Sequence, residues 1–358
     1  MKGMTFIMKW IKKAAAMAAA AAMALSLSAC ENNLSWAAKI GDDTTVPVGL
    51  YIYQQVSHYR VGMQNGTLDS YTELSEQTVE VSGSDVAALD YLTDEAKKSL
   101  KSTVGVMLMS EEMNLSLTEE EVNSAVQSAA DDYDQNEEAL TKNGVAKTSV
   151  EEYYKDITRK NNLFQALYGK DGTKPVSDDE LKAFYKANYA TLNFMQQYFY
   201  KEDGSMMTDD EIAAVKKEYK SIRSKVQKGK LDFVKACEEA SKDNSGYKGA
   251  YTDITQRFDA ADEQGEKILS LKVGEFYLFE TDTSIALIQK AKLDMDSKKF
   301  EEARSTLLIE AKYDAFVDEM IKYAENSDKV KFNDKAFDKF AASTRDFSEL
   351  TVSTGSYY

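Results

Sequence analysis

Residues 176–200 read VSDDELKAFYKANYATLNFMQQYFY, and the pattern of the apolar residues changes inside that stretch. Ser177 followed by Asp178, Asp179 and Glu180 is a helix start. The hydroxyl caps free backbone N–H groups, and the acids face the positive end of the helix dipole. The helix so opened runs to Tyr189. From Leu192 the pattern changes, and Phe194 to Tyr200 is rich in the aromatic residues that suit strands. The stretch predicts an α+β protein that is mainly helical, with a domain boundary after residue 190.

On the N-terminal side, Ala37 to Asp43 reads as a short strand ending in a turn, and Pro47 keeps the next piece extended. A helix from Val48 is broken by Asn65-Gly66. Ser84 to Met113 carries Leu89, Leu92, Ala96, Leu100, Val104, Met107 and Leu108 at helical spacing. Thr118 with Glu121 is a capping box that opens a helix from Glu119 to about Tyr133. Ser149 is read as the cap of a further helix through Tyr153, Ile157 and Leu163. Residues 37–190 are thus expected to form one helical assembly.

On the C-terminal side, Asp209–Gly229 and Leu231–Ser241 are amphipathic helices, and Phe276–Phe279 and Ser284–Ala291 read as strands. With the strand at residue 194 they predict a small α+β domain over 191–295. Lys298–Glu325 is one long helix with apolar Phe300, Leu307, Phe316 and Met320. Val330 to Asp334 is a short extended piece, giving a returning segment over 296–340. The Ser/Thr-rich residues 341–358 are expected to be loose.

The 358 residues carry 44 basic and 60 acidic side chains, a formal net charge of −16. That excludes nucleic acid as a partner, since phosphates require a basic face. It also excludes attraction to anionic lipid by charge. The chain has one histidine, His58, in the amphipathic stretch Tyr51 to Tyr59. A zinc site needs several His or Cys ligands, and a histidine-activated nucleophile needs the two side by side. Glycine-rich nucleotide loops are absent. No metal and no cofactor are expected. Of the two cysteines, Cys30 and Cys237, the second reads as a small buried hydrophobe on a helix.

The first 29 residues have the form of a targeting segment. Lys2, Lys9, Lys12 and Lys13 precede the apolar run Ala14 to Leu25, and Leu27-Ser28-Ala29-Cys30 closes it. This resembles the lipobox of bacterial lipoproteins. The resemblance implies cleavage before Cys30, lipid on its thiol, a tether over 30–36 and attachment to the outer face of the cytoplasmic membrane. Removing the segment takes four lysines and no acid, leaving a net charge of about −20.

The order of motifs resembles the PrsA and SurA group of parvulin-type foldases. Ala38-Lys39-Ile40-Gly41-Asp42 matches the group's opening strand and turn. Leu117 to Val122 and Val176 to Tyr185 match two recurrent helix starts, and Val330 to Asp334 the final strand. Gly229-Lys230-Leu231-Asp232-Phe233, Ser241-Lys242-Asp243 with Gly246 and Gly249, and Leu271-Lys272-Val273-Gly274-Glu275 are similar to parvulin motifs. The resemblance implies a helical chaperone lobe built from the N-terminal region and the C-terminal helix, with a parvulin-like domain inserted.

An active parvulin carries one histidine on its first strand and one on its last. At the first position this chain has Gln197 and at the second a residue near Ala286. Asp243 falls where the group keeps a Cys or Asp. The candidate catalytic residues are therefore Gln197 and Asp243, with weak or no isomerase activity expected. Taken without the resemblance, Asp243 reads first as a loop-capping carboxylate. The resemblance implies unfolded or nascent secreted proteins as partners and leaves room for a homodimer. Candidate client-binding residues are Tyr51, Tyr53, Met107, Met109, Tyr153, Tyr154 and Phe164, because Tyr and Met adapt to many partners. Two other readings stay open: an active peptidyl-prolyl isomerase with a divergent site, and a non-enzymatic ligand-binding or adhesive lipoprotein.

Overall fold

The computed structural model describes residues 34–294 and 298–351. The targeting segment, Cys30 and residues 31–33 of the tether lie outside the described residues. The fold is α+β and mainly helical. The chain divides into two compact units: the part up to Pro175 together with the part from Lys312 onward, and Val176–Ala311.

The first unit is helical, with two small sheets. Strands β1 (Trp36–Ile40) and β2 (Thr44–Pro47) form an antiparallel pair, and β9 (Val330–Phe332) adds to the other side of β1. Trp36, assigned to the tether from the sequence, is the first residue of β1, and its neighbour Leu34 packs on the core. Helix α1 (Val48–Asn65) ends at Gly66, whose φ of 77° lies in the left-handed region that favours glycine. Helix α2 (Ala88–Glu112) follows a hairpin of β3 (Thr78–Val81) and β4 (Ser84–Ala87). The helix expected from Ser84 thus starts four residues later. Ser82 and Gly83, both at positive φ, make the turn between those strands.

Helix α3 (Glu119–Gln135) has the expected capping box, with Thr118 and Glu121 bonding reciprocally. Short α4 (Glu137–Lys142) leads to α5 (Lys147–Tyr168), in which Ser149 is a buried first-turn residue and not the cap. Helix α10 (Lys298–Glu325) supplies its second half to this unit. A Cβ on Gly105 of α2 would meet the Met320 carbonyl oxygen at 2.0 Å, so the two helix backbones touch there.

The described part of the C-terminal segment departs from expectation, while residues 352–358 lie outside the described residues. Short α11 (Asp334–Lys339) follows β9, and Ala342, Phe347 and Leu350 are buried in the same core as Leu50, Leu92 and Val150. Asn143 holds the tail by both ends of its amide, donating to the Asp346 carbonyl at 2.6 Å and accepting from the Asp346 N–H at 2.9 Å. Burial of three apolar side chains outweighs the Ser/Thr composition that suggested a loose segment.

The second unit begins fifteen residues before the expected boundary, at Val176, and ends at Ala311, past the expected 295. The reason lies in helix α6 (Asp178–Asn188). Arg304 donates to Asp178 at 2.9 Å, Tyr185 packs on Phe300, and the Tyr189 hydroxyl donates to Glu310 at 2.7 Å. These contacts join α6 to the first half of α10. The centre is a four-stranded antiparallel sheet in the order β6-β5-β8-β7, from β5 (Tyr189–Tyr198), β6 (Lys248–Arg257), β7 (Phe276–Glu280) and β8 (Ser284–Ala291). One face, with Met195, Ile285 and Leu287, packs on α7 (Asp209–Gln227) and α8 (Phe233–Ala240) through Tyr219, Phe233 and Cys237. The other, with Leu192 and Ile288, packs on Ile268 of α9 (Glu263–Ser270).

Candidate functional site

Side chains alternate between the faces of a strand, so register decides which residues meet. Met195 and Phe199 belong to the face under α7 and α8, and Gln197 lies between them on the same side. Phe194, with Gln196 and Tyr198, belongs to the face toward α9. Ala286 pairs directly with Gln196, and Gln197 pairs with Ile285. The position opposite Ala286 is therefore Gln196. Gln197, chosen from the sequence, is displaced by one residue onto the opposite face.

The α9 face holds a cavity of about 310 Å³ lined by Phe194, Gln196, Tyr198, Phe258, Gln264, Ile268, Phe279, Ala286 and their neighbours. Gln197 and Ile285, although they alternate onto the other face, also line it. The Ser284 hydroxyl at its rim sits 2.8 Å from Thr281 Oγ1. The wall is aromatic and amide in character: it contains no imidazole, thiol or carboxylate. It can hold a small apolar group and offer amide and hydroxyl hydrogen bonds.

Asp243 is exposed at the end of the turn Ser241–Asp243 and does not line this cavity. The neighbour Asn244 shapes the loop instead. It accepts from the Ala250 N–H at 2.8 Å and donates back to the Ala250 carbonyl at 3.3 Å. Cys237 is fully buried, and burial pushes its thiol up to about 12, which fits the expected role of a small hydrophobe.

In the helical unit the seven candidate client-binding residues separate. Tyr51 and Tyr53 are 0% and 1% exposed, and Phe164 is 2% exposed. These three fill the core. Tyr51 packs on Phe337 with ring centres 4.9 Å apart, and Phe164 on Phe316 at 5.4 Å. Tyr53 donates to Asp132, and Arg60 donates to the same carboxylate at 2.9 Å. Burial and the neighbouring carboxylate keep the Tyr53 phenol protonated. The C-terminal segments close over positions that looked open from the sequence. Met107, Met109, Tyr153 and Tyr154 are half-buried. Tyr154 donates to Asp132 at 3.3 Å, and the Tyr153 hydroxyl sits 2.6 Å from Ser57 Oγ.

Tyr153 also lines a second cavity, of about 280 Å³, in this unit. Its wall includes Gln54, His58, Asp156 and Lys160. His58 Nε2 lies 2.8 Å from Ser99 Oγ, and burial pushes its imidazole below the usual value. Sequence reading passed over Gln54 and Asp156. Asp156 stands three residues after Tyr153 and seven before Leu163, on the helix's apolar stripe, and a polar residue there was the available signal.

Residues 52–168 match the family model for the bacterial trigger factor protein C-terminus. That span runs from α1 to the end of α5. Solved structures similar to this chain include a foldase protein PrsA from Lactococcus lactis, at 16% identity over 87% of this chain and 99% of that one, with a TM-score of 0.31. A foldase protein PrsA from Streptococcus pneumoniae is similar at 15% identity over 76% and 99%, with a TM-score of 0.32. PrsA from Bacillus subtilis is similar at 16% over 72% and 94%, with a TM-score of 0.24. No curated protein matches the sequence.

Proposed function

We propose that the chain is an extracytoplasmic chaperone of unfolded secreted polypeptides, anchored by lipid on Cys30, whose parvulin-like unit has no strong isomerase activity. The observation that carries the chaperone reading is the match of residues 52–168, inside the helical unit, to the trigger factor C-terminus. The order of motifs quoted from the sequence supports it. The lipid anchor rests on Leu27 to Cys30. Among the described residues no helix is long and apolar enough to cross a membrane.

The reading of the second unit rests on the cavity wall. Rotation about a peptide bond has a barrier of roughly 18–20 kcal/mol. Lowering it for a prolyl bond requires groups placed to favour the twisted imide over the planar one. In a parvulin a histidine pair organises that pocket, and here Gln196 and Ala286 stand opposite each other. Gln196 can bond to a neighbour, whereas the Ala286 methyl cannot. The cavity retains the shape for an apolar ring without the polar pair behind it.

The test uses the purified full chain in two assays on one sample: suppression of aggregation of an unfolded client by light scattering, and isomerisation of a proline peptide. Suppressed scattering with isomerisation at the uncatalysed rate is expected. Isomerisation that falls in Asp243→Ala would overturn the reading of the second unit. Absence of both activities would overturn the chaperone reading in favour of a ligand-binding or adhesive lipoprotein.

A further inference from the structure

The four-stranded sheet of the second unit has two edge strands, and they are finished differently. Edge strand β6 carries a bulge: Thr252 and Asp253 together stand opposite Asn193, and Asp253 has a φ of 56°. The Asp253 N–H goes to the Asn193 side chain at 2.9 Å. Bulges and charges of this kind stop a further strand from pairing. Edge strand β7, Phe276-Tyr277-Leu278-Phe279-Glu280, keeps an unbroken register with β8 and contains no proline or lysine.

The pairs that flank β7 fix which of its backbone groups face out. The Lys290 N–H donates to the Glu275 carbonyl at 3.1 Å, and the Thr281 N–H donates to the Ser284 carbonyl at 2.9 Å. Bonded and non-bonded pairs alternate in an antiparallel ladder, so between these two it is Tyr277 and Phe279 that bond to β8. The N–H and C=O groups of Phe276, Leu278 and Glu280 therefore point outward. No backbone group among the described residues bonds to them there.

Space is left in front of that edge. A cavity of about 710 Å³ is lined by Tyr277 to Glu280, by Lys220 and Arg223 of α7, and by Asp262 and Glu263 at the start of α9. A second, of about 430 Å³, continues along Tyr277, Glu263 and Glu266. The two walls differ in charge. On the α7 side Glu280 pairs with Lys216 at 3.5 Å and Lys220 at 3.4 Å, and with Arg223 the cations are in excess. On the α9 side the carboxylates of Asp262, Glu263 and Glu266 outnumber Lys267.

We propose that β7 takes an extended polypeptide as a fifth, antiparallel strand, one in which lysine or arginine alternates with apolar residues. Main-chain hydrogen bonds to Phe276, Leu278 and Glu280 hold it, and its alternate side chains select it. Residues paired with Phe276 and Leu278 share their face and are apolar. The residues between them lie on the side of Tyr277 and Phe279, where a basic group meets the α9 carboxylates. The cationic α7 wall repels the register shifted by one. A second copy of this chain fits badly, because an antiparallel β7–β7 pair would set two acidic α9 walls side by side. The inference rests on the chaperone reading for the source of the polypeptide.

The full chain is titrated with the blocked peptide Lys-Val-Lys-Val-Lys-Val-Lys, and amide exchange is followed by NMR. Bound peptide should slow the Phe276, Leu278 and Glu280 amides at least about fivefold, the scale of one net hydrogen bond, and leave Tyr277 and Phe279 unchanged. N-methylation of the valines should abolish binding. N-methylation of the lysines, whose N–H groups point to solvent, should not. A peptide with glutamine in place of lysine should bind about fivefold more weakly at low salt, a difference that high salt removes. In the double variant Glu263→Gln and Glu266→Gln, changed at two exposed positions, that preference should fall toward one. An undiminished preference overturns the placing of the basic residues. Exchange that slows at none of the three amides, or binding that survives both methylations, overturns the strand addition, and wild-type protein alone decides this. Aggregation of an unfolded client is scored in parallel. Suppression without protection of β7 sinks the fifth strand and leaves the chaperone reading. Protection without suppression does the reverse.

Discussion

At the scale of single residues, two buried carboxylates behave in opposite ways. Asp132 is saturated by Tyr53, Arg60 and Tyr154, with Arg60 and Asp132 side chains only 12% and 6% exposed. Arg60→Met would leave that charge buried and unpaired, at a cost of about 3–5 kcal/mol. A fall in chemical-denaturation midpoint without a change in slope checks this, and Asp132→Asn added to the same chain should recover part of the loss. Asp156 lies the other way. Burial raises its pKa from 3.8 to about 7, against the pull of Arg159. A raised folded pKa contributes stability below the unfolded value, and that contribution is lost as pH rises through the folded value. The wild type should therefore lose stability relative to Asp156→Asn between pH 4 and 7 and no further above it. Thermal unfolding of the pair at pH 4.5, 6 and 8 reads the slope. This scale also shows where sequence reading stopped. Gln196 and Gln197 are adjacent and identical, and both faces of β5 are covered, so no polar alternation marks which one meets Ala286. Tyr51 and Tyr53 look like an adaptable surface until Phe337 is known to pack on the first and Asp132 and Tyr153 on the second.

At the scale of elements, local chemistry was legible and close approach was not. The capping box at Thr118 could be read directly, and Thr118→Ala should cost about 1 kcal/mol, seen as a lower thermal midpoint. The hairpin of β3 and β4 was missed, although Thr78-Val79-Glu80-Val81 alternates and Ser82-Gly83 is a turn pair. Its strands are short, and helical spacing in the residues after Ala87 drew the boundary too early. Gly105 carries no sign of its role in the sequence, because glycine in a helix reads only as a weak helix former. Its neighbour is the backbone of Met320, which cannot rotate away. Gly105→Ala should destabilise by roughly 1–3 kcal/mol by overpacking, despite alanine's better helix propensity. Denaturation of the variant tests the sign, since propensity alone predicts the opposite.

At the scale of the whole molecule, the mixed helical fold and the interrupted helical part were visible in the order of elements, while the limits of the units were not. Val176 opens the second unit because Arg304, Phe300 and Glu310 hold α6, and contacts between residues so distant in the chain leave no trace in local pattern. The same holds for the tail. Removing residues 341–358 would expose the core at Phe347 and Leu350 and take away the two bonds between the Asn143 amide and Asp346. The first unit should then lose amide-exchange protection while the sheet of the second keeps it. The sheet of the first unit has one more consequence. Strand β1 has β9 as its partner, with Ala38 beside Phe332. A ribosome releases Ala38 early and Phe332 near the end. The second unit is complete in the emerging chain while the first still lacks its last strand, half a helix and the cover of its core. Long-range closure of this kind is slow and leaves apolar surface open meanwhile. Until its own final residues arrive, a protein read here as a guardian of unfinished chains is itself one of them.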